Sequence, residues 1–513
     1  MSELMLAFEK EAVNRQHDVA NIIASGASSV EKFYSGTNVF VTCGSGFLGK
    51  QLLEKLFRCC NVNKVYLLLR AKKGKTAQQR VKEILQDPVF DSLHNRKAKF
   101  ADNVLAVSGD VSEVKLGLSA SDWELITGQV NIIFHTAATV NFNESMKVVA
   151  LTNVRGTREI LRLAKCCKEL RSIVHVSTAY SHATHSRVGR AVKEQFYDSP
   201  VPPNAFIDLA ETIDENKLEN MMQQVKADWP NAYSFSKALG EEIVRSEAEN
   251  LPISIVRPAI VISSYREPLP GWIDPMNSLG PSGLILGLMT GIIHVLRTRQ
   301  NIVLSLVPAD LVTNTTLVAA CETAKAQTNK GNIKIYNITN NRNPLLWSEL
   351  GNVLETFGRK LITSRAIWYC FTIQTTHKFL FTILFWLLHY VPAFIVDTAC
   401  RLTNRRPILL NIYEKVNKLT SALDFFTNND WKFQDDNTLS LHKNMSIIDR
   451  DIFNCDIATL DRRECIKVWT YGIRKYIIKE VDFQRQGEID RKQFLLKIAT
   501  YFIFGIYIYL FYI

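Results

Sequence analysis

Tyr233 and Lys237 stand four residues apart in "NAYSFSKALGEEI" (231–243), a spacing that puts both side chains on one face of a helix. A tyrosine titrates at about pH 10 in solution. An ammonium beside it favours the phenolate and makes proton transfer near neutrality feasible. Upstream, "VHVSTAY" (174–180) ends a strand with Ser177 and Thr178, hydroxyls that can hold a carbonyl oxygen for that acid. Tyr-x-x-x-Lys recurs by chance, so its weight comes from a second constellation near the start of the chain. In "VFVTCGSGFLGKQLLEKLF" (39–57), Gly44, Gly46 and Gly49 follow an apolar run and precede an amphipathic one. At this spacing, between a strand and a helix, glycines permit a tight turn and close approach to a pyrophosphate, which then rests on the positive end of the helix.

The type of dinucleotide follows from the next strand end. Where an acidic residue would bind a ribose 2′-hydroxyl, the chain reads "LLLRAKKGK" (67–75) with Arg70, Lys72 and Lys73. A carboxylate repels a 2′-phosphate and a guanidinium pairs with it, which favours NADPH over NADH.

These residues need a scaffold, and the apolar runs supply one. "NVFVT" (38–42), "KVYLLL" (64–69), "NVLAVS" (103–108), "VNIIFH" (130–135), "SIVHVS" (172–177), "ISIVRP" (253–258) and "IKIYNIT" (333–339) read as strands. Each of the first five precedes a helix-compatible stretch, as a parallel sheet with crossover helices requires. From about residue 355 the pattern changes to long segments rich in Leu, Ile, Phe, Lys and Asn. The expectation is an α/β chain: a Rossmann-like, doubly wound parallel sheet, a smaller, mostly helical C-terminal domain and a C-terminal membrane segment.

A chain of 513 residues exceeds one ordinary domain. Its ten cysteines form no CxxC pair, which reads as reduced thiols in the cytosol. The net charge of +11 suits anionic coenzymes or a membrane surface, and the absence of a basic block interleaved with aromatics argues against nucleic acid. The first 36 residues are polar, without the apolar core of a secretory signal. The end is "FLLKIATYFIFGIYIYLFYI" (494–513), with Lys497 its one charge. A helix of that length spans about 30 Å, enough for a bilayer. A second apolar run, Phe379 to Val396, contains His389 and Pro392 and is compatible with a core helix, a membrane-dipping hairpin or the wall of a lipid tunnel.

Taken in order, these stretches resemble the extended short-chain dehydrogenase/reductases and, within them, the fatty acyl-CoA reductases that make fatty alcohols. The resemblance runs through "SGDVSE", "FHTAATVNFNE", "NVRGTREIL", "WPNAYSFSKALGE" and "IVRPAIVISSYREPLPGWIDPMN", and continues in Trp386 to Tyr390, "VPAFIVD" (391–397) and "WTYGIRKYIIKE" (469–480). It implies Tyr233 and Lys237 as the catalytic pair, with Thr178 or Ser177 as hydroxyl partner. It further implies that the loop Gly44, Ser45, Gly46, Phe47, Leu48 and Gly49 cradles the pyrophosphate. Arg70 and Arg80 would take the 2′-phosphate, Asp110 the adenine and Lys237 the nicotinamide ribose. Ala137 and Ala138 would line the cofactor, and Pro258 would begin the segment under the nicotinamide. Asn153 opens an N-x-x-G-T step that a helix cap explains equally well.

The implied division is a polar segment (1–36), an NADPH-binding reductase domain (37–354), a helical domain (355–490) and a transmembrane tail (494–513). The implied activity is NADPH-dependent reduction of long-chain acyl-CoA to a primary alcohol and coenzyme A, through a bound aldehyde. The enzyme would be a single-pass protein of the endoplasmic reticulum or peroxisome, its catalytic part facing the cytosol. A sterol-type oxidoreductase of the same superfamily, or a membrane-tethered homologue without turnover, are the alternatives. Two departures from the family pattern stand out: Cys43 in place of glycine in the phosphate loop, and "LDRRECIKVW" (460–469) before "TYGIRKY". At positive φ, a Cβ at position 43 costs about 1 kcal/mol or more.

Overall fold

Seven short, β-branched or apolar runs pair side by side because strands buried on both faces need no polar alternation. In a computed structural model describing residues 2–72, 74–277, 280–325, 332–358, 362–480 and 486–512, they are β1 (Asn38–Thr42), β2 (Lys64–Leu69), β3 (Val104–Ser108), β4 (Ile132–His135), β5 (Ser172–Val176), β6 (Ile253–Pro258) and β7 (Ile335–Ile338). All pairings are parallel, in the order β7-β6-β5-β4-β1-β2-β3. The strand order reverses at β1, between β4 and β2, so the crevice above the ends of β1 and β4 is where such a sheet binds ligands.

The helices that matter for the site are α1 (Ser2–Ala24), α2 (Phe47–Cys59), α3 (Ala77–Ile84), α4 (Gly156–Cys166), α5 (Ala232–Glu247) and α6 (Ala309–Lys325). In the C-terminal third they are α7 (Lys378–Leu402), α8 (Leu409–Thr427), α9 (Arg462–Gly472) and α10 (Gln486–Tyr512). One apolar cluster packs α2 and α6 against one face of the sheet, through Leu53, Leu56, Val312 and Ala319; another packs α4 and α5 against the other, through Ile160, Leu161, Leu239 and Ile243. A third cluster joins Leu284, Ile302 and Trp347 to Phe385, Ile466 and Trp469. It draws on both sides of residue 355, so 37–354 and 355–490 stand as a proposed division of sequence and not of packing.

The first 36 residues form more than a polar segment. Their Val19, Ile23, Val30 and Tyr34 are buried in the core. Arg15 pairs with Asp451 at 2.8 Å, Glu9 accepts from the Tyr471 hydroxyl at 2.7 Å, and Ser28 donates to Asp449 at 2.6 Å. The apolar spacing within a largely polar stretch was the only trace of this strap.

The apolar run at 379–396 lies within a single helix, α7, with a π turn at Trp386–Tyr390; it is neither a hairpin nor wholly core. Among the described residues α7 is the one helix long and apolar enough to cross a membrane, with 22% of its apolar window buried. The terminal run at 494–513 belongs to α10, apart from residue 513, which lies outside the described residues. Phe494, Leu495, Tyr501, Phe502, Ile508 and Tyr509 of α10 are exposed.

Where the C-terminal helices meet the reductase body, backbone touches backbone. A Cβ at Gly472 on α9 would lie 1.8 Å from the carbonyl oxygen of Gly271. Gly472→Ala is expected to separate these surfaces and lower stability by at least the upper end of the roughly 1–3 kcal/mol of an overpacked contact. Thermal unfolding would show it, and an unchanged midpoint would mean that the contact yields freely.

Candidate active site

The helix α5 starts at Asn231, whose side chain accepts from Ser234 N at 2.8 Å. Its first turns present Tyr233, Lys237 and Glu241 in one row, at intervals of four. Lys237 is buried and donates to the Val176 carbonyl at the end of β5, at 2.7 Å. Burial lowers its pKa to about 8, against the opposing charge of Glu241. Tyr233 is partly exposed, with the Phe142 ring stacked at 6.0 Å. Burial pushes the phenol up to about 12, opposed by a hydrogen bond with Thr178. This corrects the expectation of a phenolate favoured by lysine. The ammonium is spent on a backbone carbonyl, and the tyrosine is held as a neutral acid.

The two strand-end hydroxyls have different tasks. Ser177 donates to Glu241 Oε1 at 2.5 Å, whereas Thr178 reaches Tyr233 and also donates to the Pro258 carbonyl at 3.3 Å. Glu241 escaped the sequence reading. Its carboxylate accepts from Ser177, from Ser181 at 2.9 Å and from Arg257 Nε at 2.9 Å, with His182 Nε2 at 3.1 Å. Burial alone would raise its pKa; the Arg257 charge and the His182 hydrogen bond hold it well below the usual carboxylate range. The signal was present as the third step of the Tyr233, Lys237 row.

The glycine loop between β1 and α2 is built by close approach. A Cβ at Gly49 would meet the Cys43 carbonyl at 2.3 Å, and one at Gly44 would meet Leu67 at 2.6 Å. Gly46 caps α2 without any side-chain acceptor, which leaves the amides of the first turn for an anion. The left-handed residue of the loop is Cys43, at φ 60°. Its Sγ lies 3.1 Å from where a Cβ of Gly46 would stand. Burial raises the thiol's pKa, opposed by the backbone of Gly46 and by the charges of Lys237, Arg80 and Arg70. A neutral thiol is a poor nucleophile. These residues fit a dinucleotide: a cradle that any added Cβ would fill, under an uncapped helix end.

Arg80 on α3 ties the loop to the next strand, donating to the Arg70 carbonyl at 2.8 Å and to Ser45 Oγ at 3.3 Å. Arg70 is largely exposed and reaches Asp110 Oδ2 at 3.4 Å. Asp110 also accepts from Ser112 N at 3.0 Å and Oγ at 2.8 Å. Ser45, Arg70, Arg80 and Asp110 are thus brought together at one edge of the crevice. Lys72 sits in the exposed turn beyond them, and Lys73 lies outside the described residues. Phe47 and Leu48 begin α2 half-buried, Phe47 with its ring 5.2 Å from Trp272.

Ala137 and Ala138 follow β4, where Ala137 N donates to Thr42 Oγ1 at 3.0 Å. Pro258 closes β6. Asn153 caps no helix. It lies buried in a π turn, donates to Ser236 Oγ at 2.8 Å and accepts from Thr139 N at 2.9 Å, which fixes the segment after β4 to α5.

Beside Tyr233 opens a cleft of about 610 Å³, whose lining includes Phe142, Glu144, Glu219, Lys226, Trp229 and Phe425. The end of α8 forms one wall, and Phe426 packs 5.5 Å from Phe142 and 4.8 Å from Tyr180. Behind the Phe142 ring that stacks on the tyrosine, the aromatic wall of the cleft therefore comes from α8, and not from the 379–396 run. No cluster fit for a metal occurs among the described residues.

Two family models, both described as "Male sterility protein", match residues 41–316 and 388–480. The chain is 35% identical to "Fatty acyl-CoA reductase wat" of Drosophila melanogaster, over 88% of this chain and 86% of that one. It is 37% identical to "Fatty acyl-CoA reductase 1" of Homo sapiens, over 88% and 87%. Among solved structures, the terminal R domain of the myxalamid PKS-NRPS pathway superposes with a TM-score of 0.57 at 19% identity, over 86% of this chain and 91% of that chain, a likeness of fold. An uncapped dinucleotide loop, a Tyr-Lys pair at the strand ends and these relatives along nearly the whole chain place the protein in the fatty acyl-CoA reductase family.

Proposed function

We propose that the protein reduces long-chain fatty acyl-CoA to the primary alcohol with NADPH, the aldehyde remaining bound between the two reductions. The observation that carries this reading is the convergence of Thr178, Tyr233 and Lys237 beside the glycine loop. The family supplies the acyl-CoA; the basic edge made by Arg70 and Arg80 favours the 2′-phosphorylated coenzyme. The site roles follow: Gly44 to Gly49 for the pyrophosphate, Arg70 and Arg80 for the 2′-phosphate, Asp110 for the adenine, and Ala137, Ala138 and Pro258 along the nicotinamide half.

When bound, NADPH supplies a hydride to the carbonyl carbon. The Tyr233 hydroxyl and Thr178 hydrogen-bond the oxygen as it gains charge. Re-formation of the C=O bond breaks the C–S bond, and coenzyme A leaves as a thiolate that takes up a proton. The hydride of the second reduction would come from a second NADPH, and Tyr233 gives its proton to the alkoxide. The neutral phenol is the correct state for this. Lys237, held at Val176, would bind the nicotinamide ribose. Ser177 acts through Glu241, which keeps the ends of β5 and β6 in register with α5.

The cleft wall carries Glu144, Glu215 and Glu219 against the single Lys226. That lining suits an uncharged arm of the substrate better than the phosphates of coenzyme A, and the aromatic wall from α8 suits the start of the acyl chain. In this reading α10, with its exposed apolar side chains, serves as the membrane segment although α7 is the helix that meets the length and hydropathy of a span among the described residues, and the catalytic body lies on the cytosolic side of the endoplasmic reticulum or peroxisome.

Product analysis by mass spectrometry with a panel of acyl-CoAs tests the reading directly. Tyr233→Phe should abolish alcohol formation and leave NADPH affinity nearly intact; retained turnover would remove Tyr233 from the chemistry. Arg70→Ala and Arg80→Ala should each weaken NADPH binding about tenfold or more, with little change for NADH. Equal losses for both coenzymes would show that these arginines meet no 2′-phosphate.

Cys43→Gly removes a Cβ from a left-handed position, worth about 1–2 kcal/mol. It should keep activity and tighten NADPH binding by up to about tenfold. Loss of alcohol formation in Cys43→Gly and Cys43→Ser alike, with NADPH still bound, would assign the thiol a chemical role.

A further inference from the structure

The helix α7 is apolar on two opposite sides, and only one of them is packed. Phe385, Leu388, His389, Ala393 and Asp397 are buried against the body. His389 Nε2 accepts from His294 N at 3.0 Å, and Asp397 accepts from the backbone of Ile408, Leu409 and Leu410 at 2.9–3.1 Å. A helix fastened along one side in this way offers only its other side to lipid. Its outer side nevertheless exposes Phe379, Trp386, Phe394, Ile395 and Leu402, followed by Ile408 in the elbow leading to α8. Such a surface is far more apolar than solvent contact alone requires.

Two observations identify what covers it. The first is charge: Arg401 at the end of α7, whose charge also acts on Asp397, and Arg405 and Arg406 in the elbow are all exposed. Basic side chains bordering an apolar helix face are the pattern of an interfacial helix on an anionic bilayer. The second is continuity with the tail. Tyr507 Oη donates to the Leu387 carbonyl at 2.9 Å, Phe504 packs 5.7 Å from Phe371, and Trp368 Nε1 donates to Thr500 Oγ1 at 2.8 Å. Where α10 meets lipid, the outer side of α7 lies beside it.

We propose that Lys378 to Ile408 is a second, in-plane membrane contact, in which Phe394, Ile395, Leu402 and Ile408 enter the interface and Arg401, Arg405 and Arg406 hold the headgroups of anionic phospholipids. This rests on the reading of α10 as a membrane segment. It also fixes the orientation of the enzyme. α8 leaves the elbow at Leu409 and ends beside Phe425 and Phe426 at the cleft; its 19 residues span about 28 Å. The aromatic wall of the cleft therefore lies no more than about one helix length from the lipid contact.

The full-length protein in phosphatidylcholine vesicles, with and without phosphatidylserine, tests this when the vesicles carry a photoactivatable phosphatidylserine or phosphatidylcholine and the crosslinked peptides are mapped. Peptides spanning 394–408 should be labelled as well as those spanning 494–512, and the serine lipid should label 394–408 several-fold more than the choline lipid. The full-length variant Arg401→Glu/Arg405→Glu/Arg406→Glu should bring that preference down to about equal labelling by the two lipids, with labelling of 494–512 and soluble-substrate activity unchanged. Labelling confined to 494–512 would overturn the in-plane contact and leave the tail intact. Labelling of neither segment would overturn the tail reading as well. Labelling of 394–408 that disappears as protein density on the vesicle rises would assign the face to a second copy of the chain and overturn the proposal.

Discussion

The carboxylate of Glu241, buried one turn beyond Lys237, is the interaction on which the site depends. It gathers Ser177 and Ser181 from the segment after β5, His182 from the same loop and Arg257 from β6. Removing one partner from such a pair leaves a buried charge uncompensated, which costs about 3–5 kcal/mol. The arrangement therefore resists loosening. Because α5 carries Glu241, the same anchoring fixes Tyr233 two turns away, and the strand ends that supply Thr178 and Pro258 cannot drift from it. The field of that carboxylate also offsets part of the burial that draws the Lys237 ammonium down to about 8.

The phosphate loop shows a second constraint, one of space. Its glycines are needed because backbone and side-chain atoms occupy the positions a Cβ would take, at 2.3 Å beside Gly49 and 2.6 Å beside Gly44. None of the three takes a positive φ; the strained position is Cys43. A cysteine is tolerated there because the left-handed cost is modest for one residue and the thiol packs against the loop as a small apolar group. Its raised pKa keeps it uncharged between three cationic side chains, which agrees with a structural role and not with covalent catalysis.

At the other end of the molecule, a strap of the first 34 residues is pinned to the C-terminal helices through Arg15, Glu9 and Ser28. The N-terminal strap is thus tied to the same C-terminal helices that meet the reductase body at the Gly271–Gly472 contact. α8 then connects two environments, the apolar surface around α7 and α10 and the aromatic wall at the tyrosine. A substrate with a fatty chain and a polar head needs both.

Local rules made much of this legible before any packing was known. All seven sheet strands were visible as short apolar runs, since a strand covered on both faces must be apolar throughout, and the glycine spacing and the Tyr-x-x-x-Lys interval marked both halves of the candidate site. What the sequence by itself determined was therefore the period-coded part: the α/β class, the parallel sheet and the family, together with the residues that make up the candidate site. Tertiary structure alone decided which hydroxyl, Ser177 or Thr178, reaches the tyrosine, because that depends on Glu241 claiming the other. It also decided that Lys237 points at a carbonyl, that Asn153 is a buried tie, that the first helix is a strap, and that α7 has one packed and one open apolar side. Each of these is a choice between partners distant in the chain, and such competition is resolved by burial and geometry in three dimensions, which residue spacing does not encode.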